Sequence, residues 1–188
     1  YGNAKMQTIY QNAAKHNVEE TIVLASYFPH KESGISNFRM LNWTLPYNKI
    51  NMFASLDFNH FFKQGYSELE ELVTHPKVKG VKVYTGYQDI DLDGDKLHQV
   101  LRLAEKKQIP VMFHTGLSYT AKRNYGRETI SDKVVAKDLE FIGDYYDVDV
   151  ILSHMAKPYH DDLIRVLNKN KRFYTDVSGL IDSKYDQD

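Results

Sequence analysis

The stretch Gln108-Ile109-Pro110-Val111-Met112-Phe113-His114-Thr115-Gly116 decides how the chain is read. Before it, Leu97, Val100, Leu101 and Ala104 recur at helical spacing, which predicts an amphipathic helix with one buried stripe. Ile109 to Phe113 is too short for a helix, is rich in residues that favour strands, and ends abruptly in polar residues. Helix, short turn and buried strand therefore follow one another here. The same alternation extends in both directions. Toward the N-terminus, strands are predicted at Thr21 to Ala25, Asn51 to Leu56 and Val78 to Tyr84. Helices fall around Met6 to Ala13, over Asn37 to Leu45, and at Leu69, Leu72 and Val73. Toward the C-terminus come a helix over Ser131 to Tyr146, a strand Val148 to Leu152, a helix carrying Leu163, Val166 and Leu167, and a strand Phe173 to Val177.

Strands alternating with helices at intervals of about 23 to 40 residues have the size of βα units and predict an α/β fold on a parallel sheet. Two architectures fit, the doubly wound open sheet and the (β/α) barrel. The first is weakened because neither G-x-G-x-x-G nor a P-loop occurs. The second is two strands short of eight. No linker or compositional break divides the 188 residues, so one domain over residues 1–188 is expected.

Composition excludes several classes. Twenty-four Lys and Arg against 25 Asp and Glu leave a net charge of −1, which lacks the basic footprint of a nucleic-acid-binding protein. No apolar run reaches the roughly 18 residues that cross a bilayer, so no membrane role is expected. With no cysteine, neither a disulfide framework nor a thiolate metal site is available, and a cytoplasmic location is the expectation. Because the first residue is Tyr1 and not Met, an opening segment is expected to precede it.

In both parallel architectures ligands bind at the carboxyl ends of the strands. His114 and His154 occupy such ends, and alternation puts His114 on the face of Met112 and Pro110, and His154 on the face of Leu152 and Val150. A single strand-end histidine is more often a hydrogen-bonded core residue than a ligand. Two at the same end of consecutive strands point to a site. Lys82, between Val81 and Val83, is a charge in an apolar run and needs either a partner, a function, or a path out to solvent. Asp57 and Asp176 also end strands, where capping a loop (Asp57) or forming a turn (Asp176) is favoured over a catalytic role. The segment from Leu117 to Ile130 is long for such a loop; its Arg123 and Arg127 suit a carboxylate-bearing substrate, and a solvated surface loop accounts for them equally well. Asp89 to Gly94 opens like a calcium loop but has Val100 at the position that must supply a bidentate Glu. Asp93 or Asp95 is better explained as a cap on the helix that follows.

Taken in order, Gly80-Val81-Lys82-Val83-Tyr84, Ile109 to Gly116, Val150-Ile151-Leu152-Ser153-His154-Met155 with Pro158, and Tyr174-Thr175-Asp176-Val177-Ser178-Gly179 resemble the amidohydrolase superfamily of metal-dependent hydrolases. The likeness spans roughly Thr21 to Leu180. It implies a TIM-type (β/α) barrel, here incomplete with about six parallel strands and six helices, corresponding to strands two to seven of eight. It also implies a divalent metal, most often zinc, with His114 as a metal ligand, His154 as a second ligand or a catalytic group touching the substrate, and Lys82 as the one candidate for the catalytic-site lysine that, carboxylated, bridges two metals in some members. The implied partner is a small-molecule substrate. The reaction is amide or lactone hydrolysis, or decarboxylation of an aromatic acid.

Two departures qualify the likeness. No H-x-H occurs, and no eighth strand with its aspartate follows. The ligand set is then incomplete, and this chain alone is expected to hold metal weakly and to be inactive. Two open strand edges would need covering by another segment or chain, which a homo-oligomer would also satisfy. The rival reading is a non-catalytic α/β binding or assembly module, which predicts the two histidines far apart.

Overall fold

The computed structural model describes residues 5–28, 33–117 and 133–178. The main strands are β1 (Thr21–Leu24), β4 (Ile50–Ser55), β5 (Val78–Val83), β6 (Val111–Phe113), β9 (Val150–Leu152) and β10 (Phe173–Thr175). Two short hairpins, β2 (Ser26–Phe28) with β3 (Ser33–Ile35) and β7 (Gly116–Leu117) with β8 (Lys133–Val134), complete the strands. The six main strands form one sheet in the order β1-β4-β5-β6-β9-β10. That order follows the chain and never reverses. A doubly wound sheet must reverse at its switch point, so the open-sheet alternative is excluded. Packing divides the chain into two compact units, Tyr1–Lys82 and Val83–Asp188.

In the first unit β4 is the central element. All six of its residues are buried, and it pairs in parallel with β1 and β5. Burial on both faces is why Ile50 to Ser55 reads as a continuous apolar run rather than an alternating one. Helix α2 (Asn37–Thr44) starts where Ser36 accepts a hydrogen bond from the Arg39 amide, as an N-cap serine does. Its first residue reaches into the sheet, since the Asn37 amide donates to the Ser55 carbonyl at 2.7 Å and accepts from the Ser55 amide at 2.9 Å. At the opposite end of β4, the Lys77 ammonium donates to the carbonyls of Ile50 (2.9 Å) and Tyr47 (2.5 Å). α1 (Met6–Lys15) and α3 (Phe62–Leu72) are the other helices, and α3 buries Leu69 and Leu72.

In the second unit α4 (Asp95–Lys107) buries Leu97, Val100, Leu101 and Ala104 completely, as their spacing predicts. Its cap differs from expectation. The N-cap is Gly94, with no side-chain hydrogen bond, and Asp95 lies in the first turn, where it favours the positive end of the helix dipole. β6, β9 and β10 pair in parallel, with Val111 and Phe173 both opposite Val150. The expected helix over Ser131 to Tyr146 is not a single helix. Residues 131–132 lie outside the described residues, Lys133–Val134 is a strand, Ala136–Leu139 is a 3₁₀ turn, and only Phe141–Tyr145 forms the α-helix α5. Adjacent Val134 and Val135 favour extended backbone. Asp138 then accepts from the Val135 amide at 3.0 Å and begins a new turn there. α6 (His160–Lys169) buries Leu163 and Val166, and its exposed side carries Arg165 and Lys169, both paired with Glu140.

The fully buried row of β6 is Val111 and Phe113, whereas Met112 on the His114 side is only half-buried. The outermost strands carry exposed apolar side chains, with Ile22 44% exposed on β1 and Tyr174 50% exposed on β10. No helix among the described residues is long and apolar enough to cross a membrane. Because Leu101 has no exposed surface, Leu101→Ala should cost about 2–5 kcal/mol, read as a lower urea midpoint at unchanged slope.

Candidate active site

At and just beyond the strand ends of the second unit, threonine hydroxyls bond neighbouring backbone carbonyls. The Thr115 hydroxyl donates to the Ser153 carbonyl at 2.7 Å, the Thr175 hydroxyl to the Leu152 carbonyl at 2.6 Å, and the Thr85 hydroxyl to the His114 carbonyl. The His114 amide in turn donates to the Val83 carbonyl at 3.0 Å. These bonds place the backbones of His114 and His154 side by side.

His154 does not continue the strand. It, Met155 and Ala156 adopt left-handed conformations, with φ of +61°, +49° and +50°. Each costs about 1–2 kcal/mol for a residue with a side chain, so the turn persists only because its surroundings hold it. Asp176 Oδ1 accepts from the His154 amide at 3.2 Å, and the Asp176 carbonyl accepts from the Met155 amide at 3.0 Å. On its other side the turn presses on Gly116, which has φ +84°, and a Cβ there would lie 2.3 Å from the Lys157 carbonyl oxygen. Only glycine fits both that conformation and that gap.

The turn brings the two imidazoles together. The ring centroids of His114 and His154 are 4.9 Å apart, inclined at 64°. His114 is buried and His154 half-buried. His114 also meets the Tyr87 ring edge-on, with centroids 4.7 Å apart. Tyr84 lies 6.3 Å from Tyr87, and its burial, with Tyr87 close by, pushes its phenol well above the usual range, so it remains a neutral hydroxyl. Around His154, Nδ1 lies 3.0 Å from the Ser178 carbonyl and 2.9 Å from the Ser178 hydroxyl, and that hydroxyl also contacts Asp176 Oδ1. Burial pushes the Asp176 carboxyl up, but hydrogen bonds from the Ser178 hydroxyl, the Ser178 amide and the His154 amide outweigh it and hold the group below the ordinary carboxylate range. Its Oδ2 is buried without a hydrogen-bond partner among the described residues.

The other expected residues fall elsewhere. Lys82 belongs to the first unit, buried on β5 opposite Ser55. Asp57 is buried in the same unit, and its Oδ1 accepts from the Asn59 and His60 amides at 2.8 and 3.0 Å, the turn-forming role. Asp176 forms the same kind of turn through the Ser178 amide at 2.8 Å. Arg123 and Arg127 lie outside the described residues. Thr85, Tyr87, Thr115 and Ser178 were not legible as site residues. Near Ser178 in sequence, only Asp176 carried a signal, and it signalled a turn. The imidazole nitrogens suit zinc, but no group of three His, Cys, Asp or Glu converges among the described residues. Those residues therefore do not make a complete metal site.

The amidohydrolase family model matches residues 39–188. The chain belongs to the amidohydrolase family. No curated protein matches the sequence. Among solved structures, this chain is similar to an uncharacterised TIM-barrel protein from Bordetella bronchiseptica, at 17% identity and a TM-score of 0.69 over 92% of this chain and 59% of that one. It is also similar to a probable 2-pyrone-4,6-dicarboxylic acid hydrolase from Acinetobacter baumannii, solved with citric acid bound, at 18% identity and a TM-score of 0.66 over 96% and 63%. A third is 5-carboxyvanillate decarboxylase from Sphingomonas paucimobilis, at 12% identity and a TM-score of 0.58 over 90% and 64%. The chain thus spans about three fifths of the length of these structures. At such identities the likeness shows the fold, an incomplete TIM-type α/β fold with six parallel strands described.

Gly116→Ala should lower stability by about 3 kcal/mol, because a left-handed conformation and a backbone clash are imposed together. Urea unfolding checks the loss, and the His154 ring signals should shift in the same variant.

Proposed function

We propose that this amidohydrolase chain carries part of the active site of a metal-dependent hydrolase or decarboxylase acting on a small carboxylate-bearing substrate. The observation that supports this most is the convergence of His114 and His154 from neighbouring strand ends to 4.9 Å, since the non-catalytic alternative requires them apart. On this reading His114 and His154 are metal ligands, with zinc the favoured ion and the remaining ligands coming from outside the described residues. When bound, such an ion lowers the pKa of a coordinated water toward neutrality. His154, anchored through Nδ1, offers its second nitrogen either to the ion or to a substrate proton. Arg123 and Arg127 grip the substrate's carboxylates in two-pronged fashion. Two similar structures are those of a probable 2-pyrone-4,6-dicarboxylic acid hydrolase and a 5-carboxyvanillate decarboxylase, which favours an acidic and in part aromatic substrate. A small-molecule partner, a cytoplasmic setting and assembly as a homo-oligomer complete the proposal.

Two imidazoles grip zinc loosely, because catalytic sites use three protein ligands. Equilibrium dialysis should give binding weaker than about 10 μM, and His114→Ala or His154→Ala should weaken it roughly tenfold or more. Zinc affinity unchanged in both variants, with only stability lost, would return the histidines to a structural role. For the substrate, an aromatic dicarboxylate such as isophthalate is the probe. The double variant Arg123→Ala/Arg127→Ala should bind it about tenfold less well, and equal affinity by calorimetry would remove the arginines from the site.

A further inference from the structure

The hydrogen bonds around His154 are more specific than a turn requires. A neutral imidazole has one donor nitrogen and one acceptor nitrogen, and neighbouring groups decide which is which. Nδ1 lies 3.0 Å from the Ser178 carbonyl oxygen, which can only accept. The proton therefore belongs on Nδ1, since the opposite tautomer would set a nitrogen lone pair against oxygen lone pairs. The Ser178 hydroxyl, 2.9 Å from the same nitrogen, then acts as a second acceptor and turns its own hydrogen toward Asp176 Oδ1. The carboxylate completes the arrangement by accepting from the Ser178 amide at 2.8 Å and the His154 amide at 3.2 Å. It thus holds the serine and the backbone of the histidine at once.

We infer that Asp176 and Ser178 are positioning residues which fix His154 as the Nδ1–H tautomer, leaving Nε2 as the nitrogen that carries the lone pair. A chain running from carboxylate to hydroxyl to imidazole polarises each bond along it and makes Nδ1 the better donor. A bare Nε2 is what either a metal ligand or an acceptor of a substrate proton must present, and outer hydrogen bonds of this kind are how proteins select it. The inference deepens the proposed role of His154 and rests on it only for its purpose. The tautomer itself is a property of the chain, and it can be measured with no metal and no substrate present.

The test is a long-range proton–nitrogen correlation spectrum of the chain labelled with ¹⁵N-histidine, recorded at about pH 8, above the ordinary histidine range. The His154 signals are identified by their loss in His154→Ala. We expect Nδ1–H to exceed Nε2–H by about tenfold or more, the discrimination that a hydrogen bond tied to a charged group supplies. Asp176→Ala should return His154 toward the mixture of an unconstrained imidazole, in which Nε2–H predominates. Ser178→Ala keeps the carbonyl acceptor and should reduce the excess only several-fold. Ser178 is exposed, so this variant reports even if Asp176→Ala does not fold. A wild-type spectrum with Nε2–H in the majority overturns the inference, as does an excess unchanged in Asp176→Ala. Adding zinc to the same sample separates the two ideas. A perturbed Nε2 with Nδ1–H retained is the expected result. An Nε2 indifferent to zinc, with the tautomer intact, supports the positioning pair and overturns the ligand role of His154.

Discussion

Three short hydrogen-bonding side chains hold the strand ends of the second unit together where the ladder runs out. Thr85 reaches the His114 carbonyl, Thr115 the Ser153 carbonyl and Thr175 the Leu152 carbonyl. Each bond contributes only about 0.5–1.5 kcal/mol net. Their importance is geometric, because a hydroxyl one atom beyond Cβ has almost no reach and fixes where the neighbouring backbone lies. Buried carbonyls at the ends of parallel strands need partners, and here the same partners that satisfy them also place the imidazoles.

The left-handed turn at His154 depends on that frame. Three consecutive residues with side chains in a disfavoured conformation do not arise from local preference. The Asp176 carboxylate and carbonyl hold the turn from one side, and the bare backbone of Gly116 allows it to approach from the other. The strain has a visible product, since the turn redirects His154 away from the alternation of β9 and toward His114. Strain at a strand end of this fold is where function concentrates.

Asp57 and Asp176 show how one residue type serves structure and site together. Both end a strand, and both bind amides two residues ahead. For Asp57 the turn reading accounts for the amide bonds that Oδ1 accepts from Asn59 and His60. Asp176 does more, because the residue two ahead is a serine that touches an imidazole. Membership of the amidohydrolase family, matched over residues 39–188, agrees with a site built at strand ends from residues far apart in sequence.

What the sequence by itself determined is the alternation of helix and strand and the location of His114 and His154. Periodicity of 3.6 or a short apolar run reports burial directly, which is why all six parallel strands and the stripe of α4 were legible. The helix over Ser131 to Tyr146 failed because apolar spacing there coexists with a β-branched pair and an internal cap at Asp138, which periodicity does not register. The order of the strands, the left-handed turn, and the meeting of His154 with Ser178 and Asp176 were decided only by the tertiary structure. The physical reason is that a hydrogen bond between residues 22 or 24 apart depends on the register of neighbouring strands. That register is set by packing across the sheet, which no local pattern encodes.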